Sequence, residues 1–161
     1  MMLYLKTLAA IILAPGVGCV LVPYLILSGT QASLNPAFGL LQLMGILAGI
    51  AGVYLILWVC AEFVRRGKGT PTPIDPLKRL VMTGCYRYTR NPMYFGAILV
   101  ILGEALYFES LWLALYAAGL GWLFQIFMVI FEEPQLKRRF GADTDQSMEE
   151  VPRWILRVER R

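Results

Sequence analysis

Two long stretches of this chain carry no formal charge. None lies between Lys6 and Glu62, and none between Glu109 and Glu132. Apolar runs of about 18 residues or more are long enough to cross a bilayer. Inside the hydrocarbon every peptide group must find its partner within the protein, which leaves helices or closed barrels. The runs are too long for membrane strands, so the expected fold is an all-α integral membrane bundle. Composition agrees. The 161 residues are 58% hydrophobic and 16% charged, where a soluble domain carries about 25% charge.

Four transmembrane helices fit best, within a single membrane domain covering 1–161. The spans run from about Tyr4 to Leu27, Phe38 to Val64, Pro92 to Phe108, and Leu111 to Phe131. The first run follows Lys6 as a signal peptide would, but it is long enough to span and no small-residue cleavage site follows, so it is read as retained. A basic loop fills 65–91, and a short, helical C-terminal tail fills 132–161. Lysine and arginine set the orientation. They cluster in the 65–91 loop and in the tail, with Lys6 ahead of the first span, and the two opposite connections have none. Both termini are therefore expected in the cytosol of a multi-pass protein, in a bacterial-type inner membrane. Asn91 reads as an N-cap and Pro92 as the first helical residue. Pro134 is expected to break or kink the fourth span. Gly45, Ala48, Gly49 and Gly52 offer a small-residue face for helix packing.

Several chemistries drop out. There is no histidine, so a histidine base, a histidine-ligated metal and a Ser-His-Asp triad are excluded. Cys19, Cys60 and Cys85 are too scattered for a disulfide framework or a zinc site, and no metal is expected. Neither a Walker A motif nor a strand-borne GxGxxG is present. The net charge of +4 follows from membrane asymmetry, with no basic-aromatic module to suggest nucleic acid.

Polar signatures sit at both ends of the last apolar hairpin. At its start stand Arg87, Arg90 and Asn91, with Tyr86, Tyr88 and Tyr94 around them; at its finish stand Glu132, Glu133 and Pro134. Two helices that enter and leave on one side bring these ends together. The bland readings are topology for the arginines, capping for Asn91, an interfacial belt for the tyrosines and span termination for the acids. The functional reading is a site at the interface. Free amides at Pro92 beside two arginines suit a carboxylate. The tyrosines suit an adenine or a cation. Adjacent helical residues point about 100° apart, so one glutamate can face the bundle and bind a cation, an amine or ribose hydroxyls while the other faces water.

Gly69-Thr70-Pro71, the run from Gly84 to Gly96, Glu132-Glu133-Pro134, Phe140-Gly141 and Val151-Pro152-Arg153-Trp154 occur in that order. In this they resemble the membrane methyltransferase superfamily that includes isoprenylcysteine carboxyl methyltransferase and phosphatidylethanolamine N-methyltransferase. The resemblance covers about Gly67 to Trp154. It implies S-adenosylmethionine as cofactor, bound at the cytosolic end of the last helical pair. Tyr86, Arg87, Tyr88, Arg90, Asn91, Pro92, Tyr94 and Gly96 would line the cofactor site from one side, and Glu132 and Glu133 from the other. Glu132, Glu133 and Arg153 are the candidate catalytic residues, with a lipophilic acceptor entering from the bilayer. Isoprenylcysteine-type carboxyl methylation is one expectation and phospholipid headgroup N-methylation another. Asn91 stands where the first branch usually has histidine and the second tends to have asparagine. The rival class is a non-catalytic membrane subunit or small transporter. A transporter usually needs an ionisable group near mid-membrane; the first span has none and Glu62 and Glu104 lie near the expected span ends, which disfavours transport.

Overall fold

The computed structural model describes residues 16–30, 36–62, 65, 84–87, 89–141, 151 and 154. Among these residues every regular element is helical. Helix α1 (Val17–Gly29) opens with a π-helical turn and continues as an α-helix. Helix α2 spans Leu40–Glu62. A 3-10 turn at Gly84–Arg87 precedes α3 (Pro92–Tyr107), and α4 covers Leu111–Phe127. A π-helical segment, Met128–Glu132, then leads directly into α5 (Glu133–Phe140).

Two of these helices are long and apolar enough to cross a membrane. They are Leu40–Glu62, with mean hydropathy 2.3, and the continuous Leu111–Arg138, with mean hydropathy 1.9. Only 28% and 17% of their apolar windows are buried. A core helix of a soluble protein is mostly buried, and these two helices leave most of their apolar surface uncovered. Helices α1 and α3 are apolar but shorter.

The main packing surface joins α2 to α3, and glycines make it possible. A Cβ built on Gly45 would lie 2.6 Å from the carbonyl oxygen of Gly103, and one on Gly52 would lie 2.7 Å from that of Gly96. The two backbones touch, as small residues permit between membrane helices. Of the expected face, Gly45 and Gly52 carry this contact, while a Cβ on Gly49 would meet nothing within 4 Å. A second layer packs α1 and α4 onto α3 through Cys19, Ala97, Ile101 and Ala117, all buried. Tyr116 adds a hydroxyl donated to the Gly18 carbonyl at 2.9 Å.

The α3–α4 turn is tight. Glu109 takes a positive φ of 50° and Ser110 caps α4 by accepting from the Leu113 amide. Buried Gln42 closes this end, donating through Nε2 to Glu109 Oε1 at 2.7 Å and to the Tyr107 carbonyl at 3.3 Å. Helices α2, α3 and α4 fall in the second, third and fourth apolar runs, and the expected start of the first run lies outside the described residues. Pro134 does not break the fourth helix. The chain runs past it in helical form, because the turn ahead of the proline has already widened: the Glu133 amide bonds the Met128 carbonyl, five residues back. The short helix expected from Gln135 starts at Glu133 and ends at Gly141, whose φ of +53° suits glycine.

Candidate functional site

The start of α3 and the π segment after α4 meet at one end of the hairpin. Four contacts join them. Arg90 Nη1 donates to Glu133 Oε1 at 3.2 Å, and the Tyr94 hydroxyl donates to Glu132 Oε2 at 2.8 Å. Asn91 Nδ2 donates to the Met128 sulfur at 2.9 Å, and the Tyr94 ring stacks on Phe124 with centroids 4.4 Å apart. Residues about forty positions apart in sequence are thus direct neighbours.

Asn91 occupies the N-cap position but does not cap. Its side chain makes no capping bond, and it points to Met128 instead. Its amide is held locally by the Thr89 hydroxyl, 3.4 Å away, and its carbonyl accepts from Phe95. The expected split of the two glutamates, one inward and one to water, is also corrected. Both are half-buried and both turn to α3. A π turn spreads five residues over a wider loop than an α turn, so consecutive side chains diverge less than in an α-helix.

The apolar run of this helix ends at Phe131, and Glu132 is the first charged residue after it. Burial pushes its carboxyl above the usual 4.5; the Tyr94 hydroxyl pulls it down and neighbouring Glu133 pushes it up, with the net shift upward. A carboxylate so placed is a stronger proton acceptor than an exposed one.

The other sequence candidates fall into place around this junction. Pro92 is buried at the start of α3, and Tyr86 packs with Met93 against Val59 of α2. Gly96 faces α2, where an added Cβ would lie 3.0 Å from Ile56. Arg87 closes the 3-10 turn. Tyr88 and Arg153 lie outside the described residues, as do the Gly69-Thr70-Pro71 landmark and most of the basic loop.

Several participants escaped the sequence reading. Met128 and Phe124 carry no polar group that would single them out within an apolar run. Gln125 accepts from the Trp154 indole at 2.6 Å, which holds Trp154 against α4 beside the site. A lone glutamine in an otherwise apolar span was the available signal. Glu62 is buried at the end of α2, and its carboxyl carbon would be 3.1 Å from a Cβ on Gly84. Gly84 has φ +66°, so both its backbone and its crowding require glycine. Among the described residues no cluster of metal-ligating side chains occurs.

Fold and junction define a class: a helical membrane protein that gathers an arginine, two carboxylates, an amide and stacked aromatic rings at one end of an apolar hairpin. The sequence profile of the phospholipid methyltransferase family matches residues 40–143, which include α2, α3, α4 and both ends of the junction. The chain belongs to that family, and the resemblance seen in its motifs is thereby confirmed. No similar curated protein and no similar solved structure was found.

Proposed function

We propose that the protein transfers a methyl group from S-adenosylmethionine to a lipidic acceptor at the cytosolic membrane interface. The carrying observation is the pairing of Arg90 with Glu133 and of Tyr94 with Glu132. It brings the two polar signatures of the hairpin to one point. The side chains there fit the cofactor's chemistry: carboxylates for hydroxyls or an amine, an arginine for a carboxylate, and stacked rings for a purine. The cofactor supplies a methyl group on a sulfonium. Arg90 holds a carboxylate, and Glu132 or Glu133 takes hydroxyl or ammonium hydrogens. The Tyr94–Phe124 pair offers a flat apolar wall. Trp154, anchored on Gln125, adds an aromatic side chain to α4 next to Phe124. Arg153, next to it in sequence, would add a second cation. By sequence position, Tyr86, Arg87 and Tyr88 are further candidates for cofactor contact.

Alignment and dryness matter more for this reaction than a strong acid or base. An amine acceptor must still lose a proton, and Glu132, raised by burial, is suited to accept it. That favours the amine headgroup of a phospholipid, in keeping with the family. Carboxyl methylation of an isoprenylcysteine-type acceptor is the second reading, supported by the arginine available to hold a carboxylate. The two long apolar helices, with α1 and α3, would form four spans with both termini in the cytosol. Calorimetry on the purified protein tests the site. Glu132→Gln and Asn91→Ala should each weaken S-adenosylmethionine binding, and unchanged affinity in both rejects the assignment. Labelled cofactor with total lipid extract then distinguishes the acceptors by the product formed.

A further inference from the structure

The other end of the α2–α3 pair holds a cleft that methyl transfer does not use. Its volume is about 230 Å³, and its walls include Gly49, Val53, Val100, Glu104, Tyr107 and Phe108. Glu104 stands ten residues along α3 from Tyr94, about 15 Å at helical rise. One headgroup cannot reach both places. Glu104 Oε2 is buried and has no hydrogen-bond partner among the described residues. Its polar neighbours do not serve it, since Cys19 gives its hydrogen to the Ala97 carbonyl and Tyr116 gives its own to the Gly18 carbonyl. A carboxyl oxygen shut from water without a donor is costly in an apolar setting. Beside it the Tyr107 and Phe108 rings meet edge to face, centroids 4.9 Å apart at 84°. A carboxyl with an aromatic corner is the chemistry that recognises an ammonium. The rest of the wall is glycine and aliphatic, and the cleft is smaller than the roughly 300–1,000 Å³ of pockets for drug-sized ligands. That suits a small head with the first methylenes of its chain.

We infer that this cleft is a lipid site, in which Glu104 and the Tyr107–Phe108 corner hold the ammonium head of an amphiphile in the leaflet opposite the candidate methyl-transfer site. It is independent of the methyltransferase reading: loss of cofactor binding leaves it standing. Thermal unfolding of the purified full-length chain in dodecyl maltoside tests it, with dodecylamine, dodecanol and ethanolamine as probes. A ligand bound to the folded state raises the melting temperature in a saturable way. Dodecylamine should do so, and dodecanol and ethanolamine should not. Glu104→Gln keeps the shape and should raise the half-saturating dodecylamine concentration about tenfold or more, as expected for a lost charged hydrogen bond. Gly49→Leu places a side chain in open space and should abolish the response. Dodecanol acting as well as dodecylamine makes the cleft a general apolar groove and overturns the proposal. Ethanolamine acting alone overturns the lipid assignment, and a wild-type response in Glu104→Gln overturns the role of the carboxyl. Should both variants fail to fold, the three probes on the wild-type protein still decide.

Discussion

Alanine at Gly45 and alanine at Gly49 separate helix packing from helix propensity. The two positions lie one turn apart on the same face of α2, and each alanine brings the same propensity gain of about 1 kcal/mol. What the new methyl meets differs. At Gly45 it would lie 2.6 Å from the Gly103 carbonyl oxygen and 2.8 Å from the Tyr107 amide nitrogen, while at Gly49 nothing stands within 4 Å. A comfortable carbon–oxygen contact is about 3.3–3.6 Å. The helices must therefore part by roughly 0.7–1 Å at Gly45 to reach that distance. A gap of ~0.5–1 Å already forfeits a quarter to a half of each dispersion contact around it. Overpacking of this kind costs about 1–3 kcal/mol. Because propensity cancels between the variants, Gly49→Ala should be more stable than Gly45→Ala by about that 1–3 kcal/mol. Reversible unfolding in mixed micelles, followed by far-UV circular dichroism, measures the difference. Equal stabilities, or Gly45→Ala the more stable, would refute backbone contact at Gly103 as the basis of this packing.

Tyr94→Phe keeps the ring on Phe124 and removes the hydroxyl that Glu132 accepts; S-adenosylmethionine affinity by calorimetry should fall about tenfold with helix content intact. Trp154→Phe removes the bond to Gln125, worth ~1 kcal/mol, and limited proteolysis beyond Gly141 should quicken about fivefold. Glu132 binds its proton more tightly in the folded protein than at the ordinary value of 4.5. Its contribution to stability is complete below that value and is lost as pH rises through the folded one. Denaturation over about pH 4 to 8 should show wild type losing ground to Glu132→Gln as pH rises, and a constant gap would contradict the burial argument.

Much of this was legible because charge placement and spacing are strong constraints. The uncharged runs marked α2 and α4 to within a few residues. The polar ends of the hairpin were expected to meet, and they do. What escaped depends on geometry that sequence does not carry. Asn91 has the residue type and position of a cap, yet a sulfur one helix away competes for its side chain. Gly96 sits among candidate cofactor residues, but helix phase turns it toward α2. Gly49 belongs to the same small-residue face as Gly45 and its backbone also lies close to Gly103, yet only the helix crossing shows that a side chain at 45 would strike backbone while one at 49 would enter open space. Glu62 and Glu104 lie near the expected span ends; Glu62 is buried against Gly84, and Glu104 has one carboxyl oxygen shut from solvent at the cleft.

The π segment explains why two adjacent acids can serve one junction. A proline removes the amide that would bond the carbonyl four residues before it and crowds that carbonyl. Here that carbonyl belongs to Ile130, inside Met128–Glu132, where the chain has already shifted to bonds five residues back. The wider turn leaves space for the Pro134 ring, so the helix continues as α5 rather than ending. The same turn narrows the angle between Glu132 and Glu133, letting one reach Tyr94 and the other Arg90 across the gap. In a regular α-helix, side chains about 100° apart would place one of these carboxylates away from α3. Glu-Glu-Pro is thus a geometric feature as well as a chemical one: the helix continues through the proline, and both carboxylates meet side chains at the start of α3.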